Sequence, residues 1–445
     1  MRSLAEHLIG SGWQVTGSDQ SAHGHNAAVL RSLGIRVDSG HSAAHVSNQA
    51  LVVYSPAVPV SNPERIAARE RGIPELSYPQ MLGRLMAART GIAIAGTHGK
   101  TTTTALLGWI LQQAGAAPSV VCGGELLNTG SGGWAGRDSA LVAEACEYRE
   151  SFLQLTPRHA ALLNIELDHF DCYPDLGAAV EAYRKFAALV PEDGLLLCAT
   201  DQQPVGEAVA HSGARIETFG IETDADWAAR DLQTRPGCTR FRVEREHRHW
   251  FTATLHVPGT HLVRNALPAI ALAAELGLDP DAIRHGLASF RGVRRRFERL
   301  GNWRGLDLID DYAHHPTAVA ATIQAARTEF PGRRLLAVFQ PHQISRTRML
   351  LAEFAASLAL ADDVWIPPVY TARESLGDSI ATSEALAAAT SGCGRRARRI
   401  GSLDRLVSTL ETDARPGDVV LLIGAGDIEL VRDELSRRIP RHYAS

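Results

Sequence analysis

A glycine-rich turn that ends in a lysine and two threonines is the clearest chemical signal in the sequence. The turn comprises Gly96, Thr97, His98, Gly99, Lys100, Thr101 and Thr102. It stands between an apolar run and a helix-forming segment, so its backbone N–H groups and the following helix N-terminus can face a phosphate. Lys100 can reach terminal phosphates, and the Thr101 hydroxyl can ligate Mg²⁺. We therefore predict a site for ATP and Mg²⁺, although the spacing is one or two residues shorter than Gly-x4-Gly-Lys-Ser/Thr.

Acidic and histidine side chains follow the next apolar runs. Glu144 ends one such run, and Asp168 and His169 come shortly after another. Ligands of an open parallel sheet bind beyond the carboxyl ends of its strands, so we predict that Glu144 binds Mg²⁺; the alternative is a solvated carboxylate. His169 is a candidate for a second Mg²⁺, an unusual role for histidine, and a packed or capping histidine is more common. Asp168 either orients the His169 ring or caps a helix.

Length and composition limit the class of protein. The chain has 445 residues and a formal net charge of −4, which gives no reason to expect nucleic acid or a membrane surface as a partner. No apolar run reaches the ~18 residues that a membrane span needs. The six cysteines are scattered without a Cys-x-x-Cys pair, which argues against a zinc site and against a disulfide framework. We expect a cytoplasmic protein without membrane insertion, present as a monomer or a weak homodimer.

The order of apolar and amphipathic segments predicts an α/β protein with three domains. These are an N-terminal Rossmann-like domain (1–88), a central P-loop ATPase-type domain with a mainly parallel sheet (89–292) and a C-terminal Rossmann-like domain (293–445). Strands are predicted at 13–16, 51–54, 91–95, 141–144, 160–165, 195–199, 306–309, 335–339, 364–366 and 419–423, with edge strands around 240–257. Helices are predicted at 3–9, 63–71, from the glycine-rich turn to about 114, and at 265–276, 317–327, 348–361 and 428–437.

Seven segments together resemble the Mur ligases, and they cover almost the whole chain. Residues 96–102 resemble the nucleotide loop of that family, 164–169 its Asn-x-x-x-Asp-His motif, and 259–267, with Gly259, His261 and Asn265, the segment that closes its central domain. Residues 295–298 resemble the entry to the third domain, 310–316 and 340–347 the signatures of the alanine-adding branch, and 424–428 its C-terminal turn.

The resemblance implies an activity. ATP would phosphorylate the carboxylate of UDP-N-acetylmuramate, and the amine of L-alanine would attack the acyl phosphate to form an amide for peptidoglycan synthesis. The partners implied are therefore UDP-N-acetylmuramate and L-alanine. The N-terminal domain would bind the UDP-sugar and the C-terminal domain the amino acid.

The resemblance also implies roles for individual residues. The catalytic residues would be Lys100, His169, His315 and Arg346, and the metal ligands would be Thr101, Glu144 and His169. The nucleotide would contact the loop 96–102 together with Asn265, Arg296 and Asp311. The substrates would contact Ser18, Asp19, His314, His342 and Arg346. Arg346 would hold the alanine carboxylate in a bidentate clamp. The plainer alternatives are a helix N-terminal turn for His314 and His315, and a solvated linker for Arg295 and Arg296.

The sequence departs from the family pattern at three places. The family begins with a strand and a glycine-rich turn for the UDP diphosphate, and neither is present before Ser3, so we expect a late start codon, an incomplete first domain and weakened UDP binding. After Glu144 the chain reads Ala-Cys-Glu-Tyr, where many relatives have a more acidic run. Lys185 follows the Asp-His pair at a distance broadly similar to that of a carbamylated lysine in related amino-acid-adding enzymes, although the alanine-adding branch is generally without one. A solvated helix lysine is the favoured alternative.

Three other functions are compatible with parts of the pattern. A recycling ligase that adds a preformed tripeptide to UDP-N-acetylmuramate shares the loops and differs in the acceptor pocket. A non-catalytic nucleotide-sugar-binding relative would have little use for the full set Lys100, Thr101, Glu144 and His169. A generic P-loop ATPase would need neither a UDP-sugar domain nor an acceptor amine.

Overall fold

The N-terminal region has two small parallel sheets. The structure, a computed structural model, describes residues 1–20, 22–372, 374 and 378–439, so the predicted domain end at 445 lies outside it. The elements of this region are α1 (Arg2–Gly10), β1 (Thr16–Asp19), α2 (His25–Ser32), β2 (Arg36–Ser39), β3 (Val52–Tyr54), α3 (Pro63–Glu70), β4 (Glu75–Ser77) and α4 (Tyr78–Ala87). Strand β1 pairs with β2, and β3 pairs with β4. A small apolar cluster of Leu4, Leu8 and Met81 lies between α1 and α4.

The central region is built on one large sheet. Its elements are β5 (Thr90–Ala95), α5 (Lys100–Gln113), β6 (Ser119–Val121), β7 (Gly133–Trp134), β8 (Ala140–Glu144), β9 (His159–Leu162), α6 (Leu176–Ala187), β10 (Leu195–Ala199), α7 (Gln203–Val209), β11 (Arg215–Ile221), β12 (Trp227–Arg235), β13 (Cys238–Arg245), β14 (Arg248–Leu255), α8 (Thr260–Glu275) and α9 (Pro280–Ser289). The order of its ten strands is β14-β13-β12-β11-β10-β9-β5-β8-β6-β7. Strands β6, β8, β5, β9, β10, β11 and β12 are parallel, and antiparallel strands lie at both edges.

Helices cover both faces of this sheet. Ile92 and Ile94 of β5 point into a core shared with α5, α8 and α9. Ala93 and Ala95 point the other way, into a core shared with α4, α6 and α7. This alternation along one strand is the period of a β-strand, and burial on both faces explains why the strand reads as a continuous apolar run.

The C-terminal region repeats this layering around a smaller sheet. Its elements are β15 (Glu298–Trp303), β16 (Leu306–Asp311), α10 (Pro316–Glu329), β17 (Leu335–Phe339), α11 (Ile344–Met349), α12 (Leu351–Leu358), β18 (Asp363–Ile366), α13 (Ser379–Gly392), β19 (Arg396–Arg399), α14 (Leu406–Asp413), β20 (Val419–Ile423) and α15 (Ile428–Arg438). The strand order is β15-β16-β20-β17-β18-β19, and only the β15–β16 pairing is antiparallel among the described strands. Apolar clusters fill both faces.

The α/β class and most predicted elements are confirmed, and three positions are corrected. The strand predicted at 13–16 is wrong, because β1 begins at Thr16 and pairs through Asp19 with β2. The strand predicted at 160–165 ends at Leu162, because the next residues leave the sheet to contact the glycine-rich turn. The single helix predicted at 348–361 is two helices, α11 and α12, because Leu350 between them has non-helical backbone angles (φ −108°, ψ 29°).

No helix among the described residues combines the length and the apolar character that a membrane crossing requires.

Candidate active site

The glycine-rich turn lies at the carboxyl end of β5, the middle one of three neighbouring strands. Strands β8 and β9 flank β5, so Glu144 and the segment 163–169 reach the same edge of the sheet. Gly96 has φ 138° and Gly99 has φ 86°, values that residues with a side chain rarely adopt. A Cβ atom on Gly99 would lie 2.4 Å from Oδ1 of Asn265, so α8 packs directly against the turn.

The segment that follows β9 holds the turn in place. Asn164 Oδ1 accepts a hydrogen bond from the backbone N–H of His98 (2.8 Å), and its Nδ2 donates to the carbonyl of His98 (3.0 Å). The backbone N–H of Thr97 donates to the carbonyl of Asn164 (3.1 Å), and the Thr97 hydroxyl accepts from the N–H of Glu166 (2.9 Å). Four hydrogen bonds therefore fix the shape of the turn without a bound ligand, which is the preorganisation that phosphate binding by backbone groups requires.

The Lys100 ammonium is held inside this edge of the sheet by the turn and by a carboxylate. Its Nζ donates to the carbonyls of Gly96 (2.5 Å) and Thr97 (3.2 Å) and lies 2.8 Å from Oε2 of Glu147. Burial lowers the pKa of Lys100, but the charge and hydrogen bond of Glu147, together with the nearby Cys146 and Glu144, outweigh burial and raise the pKa above its ordinary value. Lys100 is therefore a permanent cation at the place where we predict phosphate to bind.

Glu147 was missed by the sequence analysis, which treated its segment only as a departure from the family pattern. It is buried and contacts both Lys100 and His169, whose Nε2 lies 3.7 Å from Glu147 Oε1. After Glu147 the chain turns sharply, since Arg149 and Glu150 have positive φ values of 52° and 51°. A carboxylate three residues beyond a strand end was the available signal, but only this turn brings it back to Lys100.

Thr101 and Glu144, the predicted magnesium ligands, lie side by side. The Thr101 hydroxyl is 3.2 Å from Oε2 of Glu144. Neighbouring oxygens around Mg²⁺ are separated by about 3 Å when each bond is ~2.1 Å, so these two oxygens fit one magnesium ion. Glu144 Oε1 also accepts hydrogen bonds from the N–H of Gly123 and the Cys122 thiol, which fix the carboxylate.

His169 lies near this group but contacts a different carboxylate. Its ring lies beside Glu147, as described above, and beside the Tyr148 ring, with centroids 5.1 Å apart. Its backbone has φ 55°. Asp168 accepts a hydrogen bond from the backbone N–H of His169 (2.7 Å), so it holds the backbone at this turn and not the imidazole.

Arg296 and Asp311, which are predicted to contact the nucleotide, belong to the C-terminal region, and Arg296 reaches the glycine-rich turn. Arg296 Nη2 lies 3.4 Å from the Thr101 hydroxyl. Asp311, at the end of β16, is buried and accepts hydrogen bonds from the N–H groups of Phe297 and Ala313, both at 2.8 Å. Burial raises the pKa of Asp311. Asp311 thus shapes the turn that carries Arg296 toward the phosphate-binding turn.

Asp310, which precedes Asp311 in the chain, is a buried carboxylate without hydrogen bonds among the described residues. Nε of Arg295 and Nε of Arg432 lie 3.5 Å and 3.7 Å from Oδ2. Burial outweighs these two charges and raises the pKa of Asp310 to about 7.

Arg346 joins the central and C-terminal regions in a buried ion pair. Its Nη2 and Nε lie 2.6 Å and 2.9 Å from Oδ1 of Asp168, and the two side chains are 2% and 6% exposed. Nη1 donates to Nδ1 of His342 (3.0 Å), and the His314 ring lies 5.8 Å from the His342 ring. Burial lowers the pKa of His342 to about 4 and that of His314 well below its usual range, so both imidazoles are neutral at neutral pH. A carboxylate clamped by Arg346 would share the guanidinium with Asp168.

His315 lies apart from His314 and His342, at the N-cap of α10. Its ring packs against His98 of the glycine-rich turn, with centroids 4.8 Å apart, and its Nδ1 lies 3.3 Å from Oε2 of Glu166. The structure therefore places His315 beside the phosphate-binding turn, whereas His314 lies with His342.

Ser18 and Asp19 lie in β1 of the N-terminal region. The Ser18 hydroxyl donates to Oε2 of Glu64 (2.6 Å) and contacts Nδ1 of His41 (3.1 Å). Asp19 is exposed, and its carbonyl accepts from the N–H of Gly40 (2.8 Å). These contacts fix the end of β1.

A cavity joins the N-terminal region to Glu144. Its volume is ≈ 180 Å³. Its lining includes Ser55, Pro56 and Ala57 after β3, Tyr78 of α4, and Glu144 and Tyr148 of the central region. A group bound in this cavity would therefore meet the carboxylate that faces Thr101.

Three domain profiles of one family match the chain in order. They are "Mur ligase family, catalytic domain" at 1–90, "Mur ligase middle domain" at 94–273 and "Mur ligase, glutamate ligase domain" at 295–426. The UDP-N-acetylmuramate–L-alanine ligase of Acidithiobacillus ferrooxidans is 41% identical over 436 residues, which cover 96% of this chain and 93% of the relative. The enzyme of the same name from Chlorobium phaeobacteroides is 40% identical, with coverages of 98% and 94%.

Solved structures give the same result. The UDP-N-acetylmuramate-alanine ligase of Thermotoga maritima is 27% identical and superimposes with a TM-score of 0.83, covering 98% of this chain and 96% of that one. A murein peptide ligase from Psychrobacter arcticus is 26% identical, with a TM-score of 0.75 and coverages of 98% and 95%. From its domain order, its sequence and its fold, the chain belongs to the Mur ligase family.

Proposed function

We propose that this protein joins L-alanine to the carboxylate of UDP-N-acetylmuramate in an ATP-dependent reaction of peptidoglycan synthesis. The observation that carries the proposal is that Glu144, which lines a cavity shared with the N-terminal region, contacts Thr101, the neighbour of Lys100 in the glycine-rich turn. The names of relatives about 40% identical over nearly the whole chain support the choice of substrates.

The reaction has two stages. The muramate carboxylate takes the terminal phosphoryl group of ATP, with ADP as the leaving group. The alanine amine then attacks the acyl carbon, loses a proton and expels inorganic phosphate, which leaves an amide. Negative charge therefore builds on the transferring phosphoryl group first and on the acyl oxygen second, and both stages favour positively charged neighbours.

The glycine-rich turn and Lys100 serve the first stage. The N–H groups at the N-terminus of α5 face the phosphates, because those of Thr97 and His98 already donate to Asn164. Lys100 exchanges part of its contact with Glu147 for a phosphate oxygen. Thr101 and Glu144 would hold Mg²⁺, which neutralises phosphate charge when bound. His169, beside Glu147, is assigned as the ligand of a second Mg²⁺. Asn265, Arg296 and Asp311 complete the nucleotide side.

The second stage belongs to the cluster around Arg346. Its guanidinium is directed by Asp168 and offers the charge that an alanine carboxylate needs. His342 uses its Nδ1 lone pair to accept from Arg346, whereas neutral His314 donates from Nδ1 to the carbonyl of Tyr312, so its Nε2 can accept the proton that the amine loses. Ser18 and Asp19 are assigned to the UDP-sugar, and the cavity at Ser55 and Glu144 to the muramyl carboxylate. With these roles, the division 1–88, 89–292 and 293–445 corresponds to UDP-sugar, ATP and amino acid.

The test is ATP-dependent phosphate release with UDP-N-acetylmuramate and a panel of acceptors. The panel contains L-alanine, glycine, L-serine and the tripeptide that a murein peptide ligase would use. We expect the highest kcat/KM with L-alanine and a loss of roughly 10- to 200-fold with glycine, since one methyl group is worth ~1–3 kcal/mol of discrimination. Phosphate release that requires the tripeptide would assign the recycling reaction, and release without any acceptor would contradict a ligase.

A further inference from the structure

A second cluster of potential metal ligands lies on the other side of the glycine-rich turn. His98, Glu166 and His315 each offer one ligand atom, and the three atoms lie within 4.8 Å of one another. Nε2 of His98 is 3.6 Å and Nδ1 of His315 is 3.3 Å from the same oxygen, Oε2 of Glu166. None of these residues takes part in the Thr101–Glu144 pair.

The nitrogen atoms of this cluster are buried and unsatisfied. His98 Nε2 and His315 Nδ1 are both shielded from solvent, and neither has a hydrogen-bond partner among the described residues. His315 is only 6% exposed. Both nitrogens face the same carboxylate oxygen, and an ion between them would pair all three buried atoms at once. The Thr317 hydroxyl donates to the same carboxylate oxygen (2.6 Å), which fixes its position.

We propose that His98, Glu166 and His315 form a binding site for a zinc-type transition-metal ion, separate from the magnesium site. Zn²⁺ binds imidazole nitrogen at ~2.0–2.1 Å and carboxylate oxygen at ~2.0–2.2 Å, so neighbouring ligands of a tetrahedral ion are about 3.3–3.5 Å apart. The two nitrogen–oxygen separations of 3.3 and 3.6 Å correspond to that spacing. The fourth position is left to water or a phosphate oxygen.

The donor set distinguishes this site from the magnesium site. Two imidazole nitrogens and one carboxylate suit zinc, copper or nickel, whereas Mg²⁺ prefers oxygen ligands and gives up its water reluctantly. The site contains no cysteine, which is why the spacing of the cysteines could not predict it.

The three ligands come from elements that are distant in the sequence. His98 belongs to the turn after β5, Glu166 follows β9, and His315 begins α10 of the C-terminal region. An ion bound here links the phosphate-binding turn to the C-terminal region. It therefore favours the arrangement in which these two regions are in contact, and it limits the freedom of the turn to adjust to a nucleotide.

The experiment is a calorimetric titration of the chelator-treated full-length protein with Zn²⁺, in a large excess of Mg²⁺ and without nucleotide. The variants are His98→Ala, Glu166→Gln and His315→Ala. We expect each variant to bind Zn²⁺ at the proposed site at least tenfold more weakly, because even the loss of a residue that only supports a metal ligand lowers metal affinity 10- to 100-fold. His211→Ala, which removes an exposed histidine outside the cluster, and Glu144→Gln, which alters the magnesium site, should retain that binding.

A second readout identifies the coordination. Co²⁺ in place of Zn²⁺ should give the intense visible absorption of a tetrahedral ion, and His315→Ala should abolish it. Unchanged Zn²⁺ binding in all three cluster variants would overturn the proposal, as would loss of binding in Glu144→Gln or equal competition by Mg²⁺. Circular dichroism verifies that each variant is folded. Because the ligands come from two regions, a folding defect in one variant leaves the others decisive.

Discussion

Replacing Asp168 by asparagine tests whether one buried ion pair holds the central and C-terminal regions together. Asp168 and Arg346 are 6% and 2% exposed and 2.6 Å apart, and the pair crosses between the two regions. Removing one partner of a buried pair costs ~3–5 kcal/mol, because it leaves the other charge buried without compensation. Asparagine keeps one acceptor oxygen, so we expect about 3 kcal/mol, or roughly a 150-fold shift of the docking equilibrium toward separation.

Hydrogen exchange measures this shift directly. The amides of 164–169 and of α11 lie at the contact between the two regions, so we expect their exchange in Asp168→Asn to be faster by about two powers of ten when separation limits exchange. The matched control is Asp378→Asn. It breaks an arginine–carboxylate contact of 2.8 Å between Arg348 and Asp378, whose side chains are 53% and 61% exposed, respectively. Such exposed pairs are worth ~0–1 kcal/mol, so we expect no measurable change.

Neutralising the partner as well should recover part of the loss. In the double variant Asp168→Asn/Arg346→Gln no unpaired charge remains buried, so its exchange should be slower than in Asp168→Asn alone. If Asp168→Asn exchanged like the unmodified protein at 164–169 and at α11, the ion pair would not hold the two regions together and the reasoning would be refuted.

Three further results are expected. The chain has two lysines, and Lys100→Ala should lower the rate of amide formation at least ~100-fold. Lys185→Ala removes only an exposed ion pair with Glu150, so it should leave the rate unchanged. A loss of rate in Lys185→Ala that bicarbonate or chloride restores would instead support carbamylation. Thr101→Val should raise the Mg²⁺ concentration needed for half-maximal activity, and an unchanged requirement would remove the hydroxyl from the metal site. Because the pKa of Asp310 is raised, the folded protein retains a proton that the unfolded chain releases, so stability falls as pH rises from about 4 to about 7. Asp310→Asn should reduce the fall of the unfolding midpoint over this pH range. An equal slope in both proteins would contradict the assignment.

The parallel strands and the glycine-rich turn were accessible from sequence for one reason. Strands buried on both faces read as uninterrupted apolar runs, as at 91–95 and 195–199, and the turn is a local pattern whose glycines are required by its own backbone angles. Both kinds of signal are contained in a few consecutive residues.

The contacts between distant segments were not accessible in the same way. The position of Glu147 depends on a turn with two left-handed residues, and nothing in the letters after Glu144 requires that turn. Arg346 was predicted to bind a substrate carboxylate, and its contact with Asp168, which is 178 residues away in the chain, was not predicted. Pairings of this kind depend on how two regions dock, and the charge of either partner alone does not indicate them.

The contact between Gly99 and Asn265 makes one mechanical unit of two segments that are far apart in the chain. A single methyl group at position 99 would collide with the asparagine amide, so either the turn or the long helix α8 would have to yield. A shift of the turn when it closes around a phosphate is for the same reason transmitted to α8 by steric contact. A side chain at position 99 would therefore need a smaller residue than asparagine at position 265, whereas a smaller residue at 265 alone would meet no clash with the turn.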